Sequence, residues 1–418
     1  MEKIKLGLIG LGTVGTGVYK SVQNFDNLEI VKIAVRNINK PRAVDVPREK
    51  LTDNPFDVVN DPSIDVVVEL MGGVEPAWDY IRTALENGKH IVTANKELLA
   101  KKGEELFNLS EKHNCVVLYE AAIAGGIPLI MPIKTILAGN KINKVQAILN
   151  GTTNYILTKM DADGASYEDV LKEAQELGYA ETDPTGDVEG FDAAYKITTL
   201  ATIAFNSRIK FENVYREGIT KIRKEDMQRA NELGYKIKLV ASATIDENNN
   251  ADVRVHPLLV PKTAMLAHIN YVTNAVAISG FPIGDILLSG PGAGESPTTS
   301  SVMGDILSIA RAWKTTDYLL PMMRCHHHSI ANPIKIDDTY NKYYLAINAP
   351  NAIGIIAKIG AICASKNISL STILQKGVKE NNTAEITVIT EKCLERSVKE
   401  FVSELTDCTV ESIIRVAE

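Results

Sequence analysis

Between Glu181 and Lys196 the chain reads Glu-Thr-Asp-Pro-Thr-Gly-Asp-Val-Glu-Gly-Phe-Asp-Ala-Ala-Tyr-Lys, and then runs straight into the apolar segment 197–205. From about residue 189, Phe191, Tyr195, Ile197, Leu200, Ile203 and Ala204 follow a helical period. Asp192 and Lys196 stand four apart, so both project from one face of that helix. On an exposed helix such a couple is a minor surface ion pair. Here the next turns are almost wholly apolar, so the helix is expected to enter a core. A charged pair at its mouth sits where pKa values move and substrates bind. Asp183-Pro184 and Gly186-Asp187 signal a turn that can bring Glu181 back beside the helix start. Glu181, Asp187 and Asp192 then offer carboxylates for an ammonium group, and Lys196 an amine for proton transfer.

Such chemistry needs a second reactant, and the N-terminus supplies a place for one. A short apolar strand, 4–9, ends in Gly10-Leu11-Gly12-Thr13-Val14-Gly15, after which 14–22 reads as a helix and 29–35 as a second strand. In that context Gly10 allows a tight turn, Gly12 lets backbone approach a pyrophosphate, and Gly15 lets helix pack on strand, with phosphates at the helix N-terminus. NAD-binding folds place an acid at the end of the second strand. This chain has Arg36 there, with Lys40 and Arg42 behind it. A guanidinium holds a 2′-phosphate that a carboxylate would repel, so NADP is predicted in preference to NAD.

Strands at 65–70, 90–93 and 115–119 alternate with helices at 76–87 and 97–112, which predicts a doubly wound parallel sheet with ligands at the carboxyl ends of its strands. Two stretches occupy that edge. Lys96, in Thr-Ala-Asn-Lys, opens a helix, where a cation faces the positive end of the dipole, so a ligand or proton-transfer role is expected of it. Glu120 opens a bend of small residues, read either as a monovalent-cation site or as a solvated strand end. Residues 148–155 are a polar turn that either shapes a pocket or caps the helix 156–160. A capped helix at 166–177 ends at Gly178.

Taken in order, Gly-Leu-Gly-Thr-Val-Gly, Thr-Ala-Asn-Lys, Glu-Ala-Ala-Ile-Ala-Gly-Gly-Ile-Pro, Leu-Asn-Gly-Thr-Thr-Asn-Tyr-Ile and the 181–196 stretch resemble homoserine dehydrogenase over roughly the first three quarters of the chain. The resemblance implies reversible, NAD(P)-dependent reduction of L-aspartate 4-semialdehyde to L-homoserine, a step shared by threonine, methionine and isoleucine biosynthesis. It implies that Lys196 transfers the proton, that Glu181 and Asp192 hold the amino end of the substrate, and that Lys96 is a second active-site lysine near cofactor and substrate. It further implies a sodium site at Glu120 with the carbonyls of Ile123, Gly125 and Ile127. Gly178 and the turn containing Gly292 and Gly294 resemble cofactor-contacting backbone.

The middle of the chain is read as strands at 237–245, 270–278 and 286–288, followed by the glycine turn 290–294 and a helix to 312. Cys325-His326-His327-His328 is not read as a metal site, because adjacent residues cannot converge on one tetrahedral centre. After a linker over 324–339, the tail from Tyr343 has the order β-α-β-β-α-β of a ferredoxin-like unit. It resembles the ACT domain, which implies control by an amino acid, with threonine as the candidate effector. The family's Asp-x-Pro-Gly loop is replaced here by Asn351-Ala352-Ile353-Gly354, so a purely dimerising module is the other reading. The expected architecture is α/β: a Rossmann-type domain over 1–130 completed by 292–322, an α+β catalytic and dimerisation domain over 131–291, a linker over 323–342 and an ACT domain over 343–418.

The whole chain sets limits on partners. Its 418 residues exceed one core, its net charge is −7 and no basic stripe appears, so nucleic acid is not expected. Five scattered cysteines without CxxC spacing favour reduced thiols. No apolar run is long enough to span a bilayer. A cytoplasmic homodimer or homotetramer acting on a small molecule is expected. The competing readings are another Rossmann amino-acid dehydrogenase, which would not need the 181–196 spacing, and a catalytically inactive amino-acid sensor, against which the intact lysines and acids argue.

Overall fold

The computed structural model describes residues 3–313, 325, 327–378 and 382–417. The end of the expected completing segment, 314–322, and residues 323, 324 and 326 of the linker region lie outside them.

Six strands, β1 (Ile4–Ile9), β2 (Leu28–Ala34), β3 (Leu51–Thr52), β4 (Val66–Glu69), β5 (His90–Thr93) and β6 (Val117–Leu118), form a sheet in the order β3-β2-β1-β4-β5-β6. Every pair is parallel. Val66, Val67 and Val68 are buried without alternation, as a strand covered on both faces requires. Helices α1 (Thr13–Val22), α2 (Phe56–Val59), α3 (Ala77–Glu86) and α4 (Lys96–Lys112) alternate with these strands along the chain. The loops after β1, β4, β5 and β6 therefore share one edge, at the switch point between β1 and β4.

Short helices α5 (Ala121–Ala124) and α6 (Ile130–Lys134) lead to a second region. It contains β7 (Lys141–Ile148), α7 (Gly151–Asp163), α8 (Tyr167–Glu176), α9 (Thr185–Val188), α10 (Phe191–Phe205), β8 (Tyr215–Arg216), α11 (Lys224–Glu232), β9 (Tyr235–Ile245), β10 (Asn250–Pro261), β11 (Thr273–Phe281) and β12 (Gly284–Pro291). Helix α12 (Glu295–Ala312) then returns to pack on α1. The remaining elements are β13 (Asn332–Pro333), β14 (Tyr340–Pro350), α13 (Ile355–Ser365), β15 (Leu370–Val378), β16 (Thr383–Thr390), β17 (Cys393–Leu394), α14 (Glu395–Glu404) and β18 (Thr409–Val416).

The expected β-α-β-β-α-β order of the tail is present, but its sheet is not separate. The mixed second sheet runs β12-β11-β7-β9-β10-β18-β14-β16-β15 without a break. The joint is β10, whose Leu258 and Leu259 pair in parallel with Arg415 and Val416. Side chains reinforce it: Arg415 bonds Glu217 at 2.9 Å and Glu395 at 2.6 Å, while Ser412 and Tyr344 both donate to the buried Asp226 of α11. The linker is also engaged, since Asn332 and Pro333 pair with the start of β10. Among the described residues no helix is long and apolar enough to cross a membrane.

Candidate active site

Helix α10 is buried almost all round, from Asp192 through Ala204, which confirms that the charged pair stands at the mouth of a core helix. It packs on β7, β9 and β10 on one side and on α4 on the other. Because Lys96 is the first residue of α4, the two lysines are drawn toward one carboxylate. Lys196 Nζ lies 2.7 Å from Asp192 Oδ2, and Lys96 Nζ forms an ion pair with Oδ1 of the same side chain. Lys196 also donates to the Leu149 carbonyl at 2.8 Å. An ammonium has three N–H groups. Among the described residues the third has no acceptor.

Burial drives the Asp192 carboxyl up, but Lys196 and Lys96 outweigh it and hold it well below the usual carboxylate range. The two lysines diverge. Burial is the largest influence on Lys196, and Lys96 adds to it, so its ammonium is pushed down despite Asp192. Burial also acts on Lys96, yet Asp192, Asp187 and Glu181 together raise it. Lys96 is 44% exposed along its side chain and Lys196 10%, so the two amines that share Asp192 stand in different surroundings. Asp187 is pushed up by burial and by Asp192. Glu181 lies on an exposed loop, close enough for its charge to act on Lys96. Lys96, Asp187, Asp192 and Lys196 thus converge, while Glu181 stands apart on its loop within electrostatic range.

Asn150 lies in the polar turn expected either to shape a pocket or to cap a helix, and it does both. Its Nδ2 donates to Asp187 at 2.7 Å and to Asp192 at 3.0 Å, while its Oδ1 accepts the Thr153 N–H at 2.8 Å and caps α7. The helix expected at 156–160 accordingly begins at Gly151, and the polar turn is its first turn. An asparagine just before a helical run is a capping signal; the contact with Asp192 needs the fold.

The glycine loop borders a cavity of about 890 Å³ lined by Gly10, Leu11, Gly12, Arg36, Lys40, Arg42, Met71 and Gly72 among others. Gly12 faces open space, with no atom within 4 Å of where a Cβ would stand. At Gly15 a Cβ would stand 2.4 Å from the Gly10 carbonyl oxygen, so only glycine lets α1 approach the loop. Thr13, Val14 and Gly15 form the first turn of α1. This shape, with open backbone at a helix start and cations at the far end, fits a dinucleotide. Arg42 is engaged with the carbonyls of Asn37, Ile38 and Lys40, which leaves Arg36 and Lys40 for a phosphate. The other expected cofactor contacts stand outside this lining: Gly178 follows α8, while Gly292 packs on Asn274 and Gly125, and Gly294 precedes α12.

At the 120–127 bend the Glu120 carboxylate accepts the N–H groups of Leu129, Ile130 and Met131 at the start of α6. The Gly125 carbonyl accepts the Ser301 hydroxyl at 2.6 Å. Ile123 and Ile127 are buried. The solvated strand end considered for Glu120 is corrected, since the side chain is buried and caps α6.

Residues 10–120 match the family model for the NAD-binding domain of homoserine dehydrogenase, and residues 128–307 match the homoserine dehydrogenase model itself. The homoserine dehydrogenase of Neisseria gonorrhoeae is 40% identical over 431 residues, spanning 100% of this chain and 98% of that protein. A homoserine dehydrogenase from Thiobacillus denitrificans has a crystal structure that matches at a TM-score of 0.93 and 39% identity, covering 100% of this chain and 99% of that one. A hyperthermophilic archaeal homoserine dehydrogenase mutant, solved in complex with NADPH, matches at a TM-score of 0.63 and 26% identity over 74% of this chain and 98% of its own. Two lysines on one buried aspartate and a glycine loop bordering a cavity, together with similarity along the whole length, place this chain in the homoserine dehydrogenase family of oxidoreductases.

Proposed function

We propose that the Lys96–Asp192–Lys196 cluster is where this enzyme interconverts L-aspartate 4-semialdehyde and L-homoserine. The observation that carries the reading is the buried Lys196 ammonium, fixed by Asp192 and Leu149 with one donor to spare. When bound, the nicotinamide supplies the hydride for the aldehyde carbon, or takes it back in the reverse direction. Lys196 meets the carbonyl oxygen, where negative charge grows, and delivers its proton there. Asp192 is already shared by two lysines, so the substrate ammonium is assigned chiefly to Glu181 and Asp187. Lys96 stays charged and serves the substrate and cofactor side of the cleft. An absorbance assay at 340 nm with homoserine and NADP, repeated with NAD, tests this; no turnover with either overturns it.

Arg36 is the proposed 2′-phosphate ligand, in keeping with the NADPH complex of the archaeal relative. Arg36→Ala is expected to raise the KM for NADP by about tenfold, the loss of a charge-assisted bidentate contact, with NAD little affected. Equal effects on both cofactors would remove the assignment. The Glu120 carboxylate already accepts three amide N–H groups, which leaves one of its about four lone pairs for a cation. A sodium ion is therefore proposed for Glu120 together with the backbone carbonyls of Ile123, Gly125 and Ile127, and no chemical step passes through it.

The domain divisions expected from sequence are kept as proposals, with the tail as an ACT domain supported by its strand order. A homodimer or homotetramer in the cytoplasm remains the proposed state. Threonine is the proposed effector. Titrating it into the assay is expected to lower the rate, and an unaltered rate at millimolar threonine would leave the tail a dimerising module.

A further inference from the structure

Glu69, the last residue of β4, is fully buried, and among the described residues no cation pairs with it. Burial pushes its carboxyl up, against the hydrogen bonds it accepts. An unpaired buried acid is costly to keep, so what it holds is informative. Its Oε1 accepts the N–H of Met71 at 2.8 Å and of Gly72 at 3.2 Å, and its Oε2 accepts the Thr93 hydroxyl at 2.7 Å. Thr93 Oγ1 in turn accepts the Asn95 N–H at 3.0 Å. The Asn95 side chain closes the ring, donating to the Gly73 carbonyl at 2.6 Å and capping α4 through the Leu98 N–H at 3.1 Å.

This ring ties together two loops with different duties. Met71 and Gly72 form part of the wall of the nucleotide-shaped cavity. Gly72 and Gly73 both take positive φ, at 74° and 77°, a turn that glycine adopts without steric cost. The other loop ends at Lys96, which reaches Asp192. The carboxylate stands between the two loops and meets both.

We propose that Glu69 is a positioning residue for the reaction, setting the cofactor wall and the Lys96 helix start against each other while touching neither substrate nor cofactor. This rests on the roles proposed above for the cavity and for Lys96. Glu69→Ala removes both attachments, and it is expected to raise the KM for NADP and to lower kcat, each by about tenfold or more, as small misplacements at an active site do. Thr93→Val leaves the Met71 and Gly72 amides held and is expected to lower kcat several-fold with the cofactor KM within about twofold. Glu69→Gln keeps an acceptor for those amides and is expected to restore the cofactor KM.

A residue that served only stability would lower the melting temperature and the active fraction without this division between KM and kcat. Wild-type kcat and KM in folded Glu69→Ala, or a kcat loss there with cofactor KM unchanged, would overturn the proposal. If Glu69→Ala does not fold, wild-type kinetics in both Thr93→Val and Glu69→Gln would overturn it instead. Lys96→Met separates the proposal from the reading beneath it. Full activity there removes the role of Lys96 and that half of the proposal, whereas an impaired Lys96→Met beside an unaffected Glu69→Ala overturns the proposal alone.

Discussion

Lys196→Ala is expected to lower kcat by about 10³-fold, since one substitution removes both the proposed proton donor and the positive charge proposed to face the developing oxyanion. The KM for NADP should change little, because Lys196 lies on α10 and not in the lining of the nucleotide cavity. The fold should tolerate the change. Asp192 keeps Lys96 as a partner, so no orphaned carboxylate is left inside. The wild-type pH dependence follows from the same group. Reduction of the aldehyde needs the ammonium and should fall as pH rises through the Lys196 pKa, while oxidation of homoserine needs the free amine and should fall as pH drops through it. Burial pushes that pKa below the ordinary lysine value of 10.5, so both limbs should lie below it. Steady-state kinetics in both directions check this, and near-normal turnover in Lys196→Ala would strip the residue of its role.

Asp192→Asn should be nearly as damaging, for a different reason. The amide preserves shape but leaves Lys96 and Lys196 facing each other without an anion between them. Each cation disfavours the other, so the Lys196 pKa should fall further and the oxidation limb should move to lower pH, with kcat reduced about 10²-fold through lost alignment. Breaking a buried pair typically costs about 3–5 kcal/mol, so a lower melting temperature should accompany the kinetic loss. An unmoved pH profile would show that Asp192 does not set the Lys196 pKa.

The parts of this site that could be read from the chain are those whose signal is local. The glycine loop, Lys96 at a helix start and the Asp192–Lys196 spacing each lie within one turn of backbone, and the structure joins the two lysines through α4 and α10. In the tail, the expected β-α-β-β-α-β order is present, because the helical pattern of α13 and the alternating pattern of β16 are uninterrupted. The turn holding Asn150 was legible as a cap or a pocket wall, but its partner Asp192 was not, because that carboxylate is 42 residues away. Helix α11 escaped because its sequence, Lys-Glu-Asp-Met-Gln-Arg-Ala-Asn-Glu, offers only Met227 and Ala230 as an apolar stripe. The capping role of Glu120 escaped because the α6 amides it holds come after a bend no periodicity announces.

The pairing of β10 has a cost that falls outside catalysis. One side of this strand is matched along its length by β9, whereas the other is covered by three unrelated short pieces, β13, β8 and β18, each meeting two of its residues. The last of these belongs to the far end of the polypeptide. Excising the tail would therefore bare the hydrogen-bonding edge at Leu258 and Leu259, an invitation to strand-to-strand aggregation. Engineered truncations should carry a substitute cover for that edge, or a charged gatekeeper residue beside it.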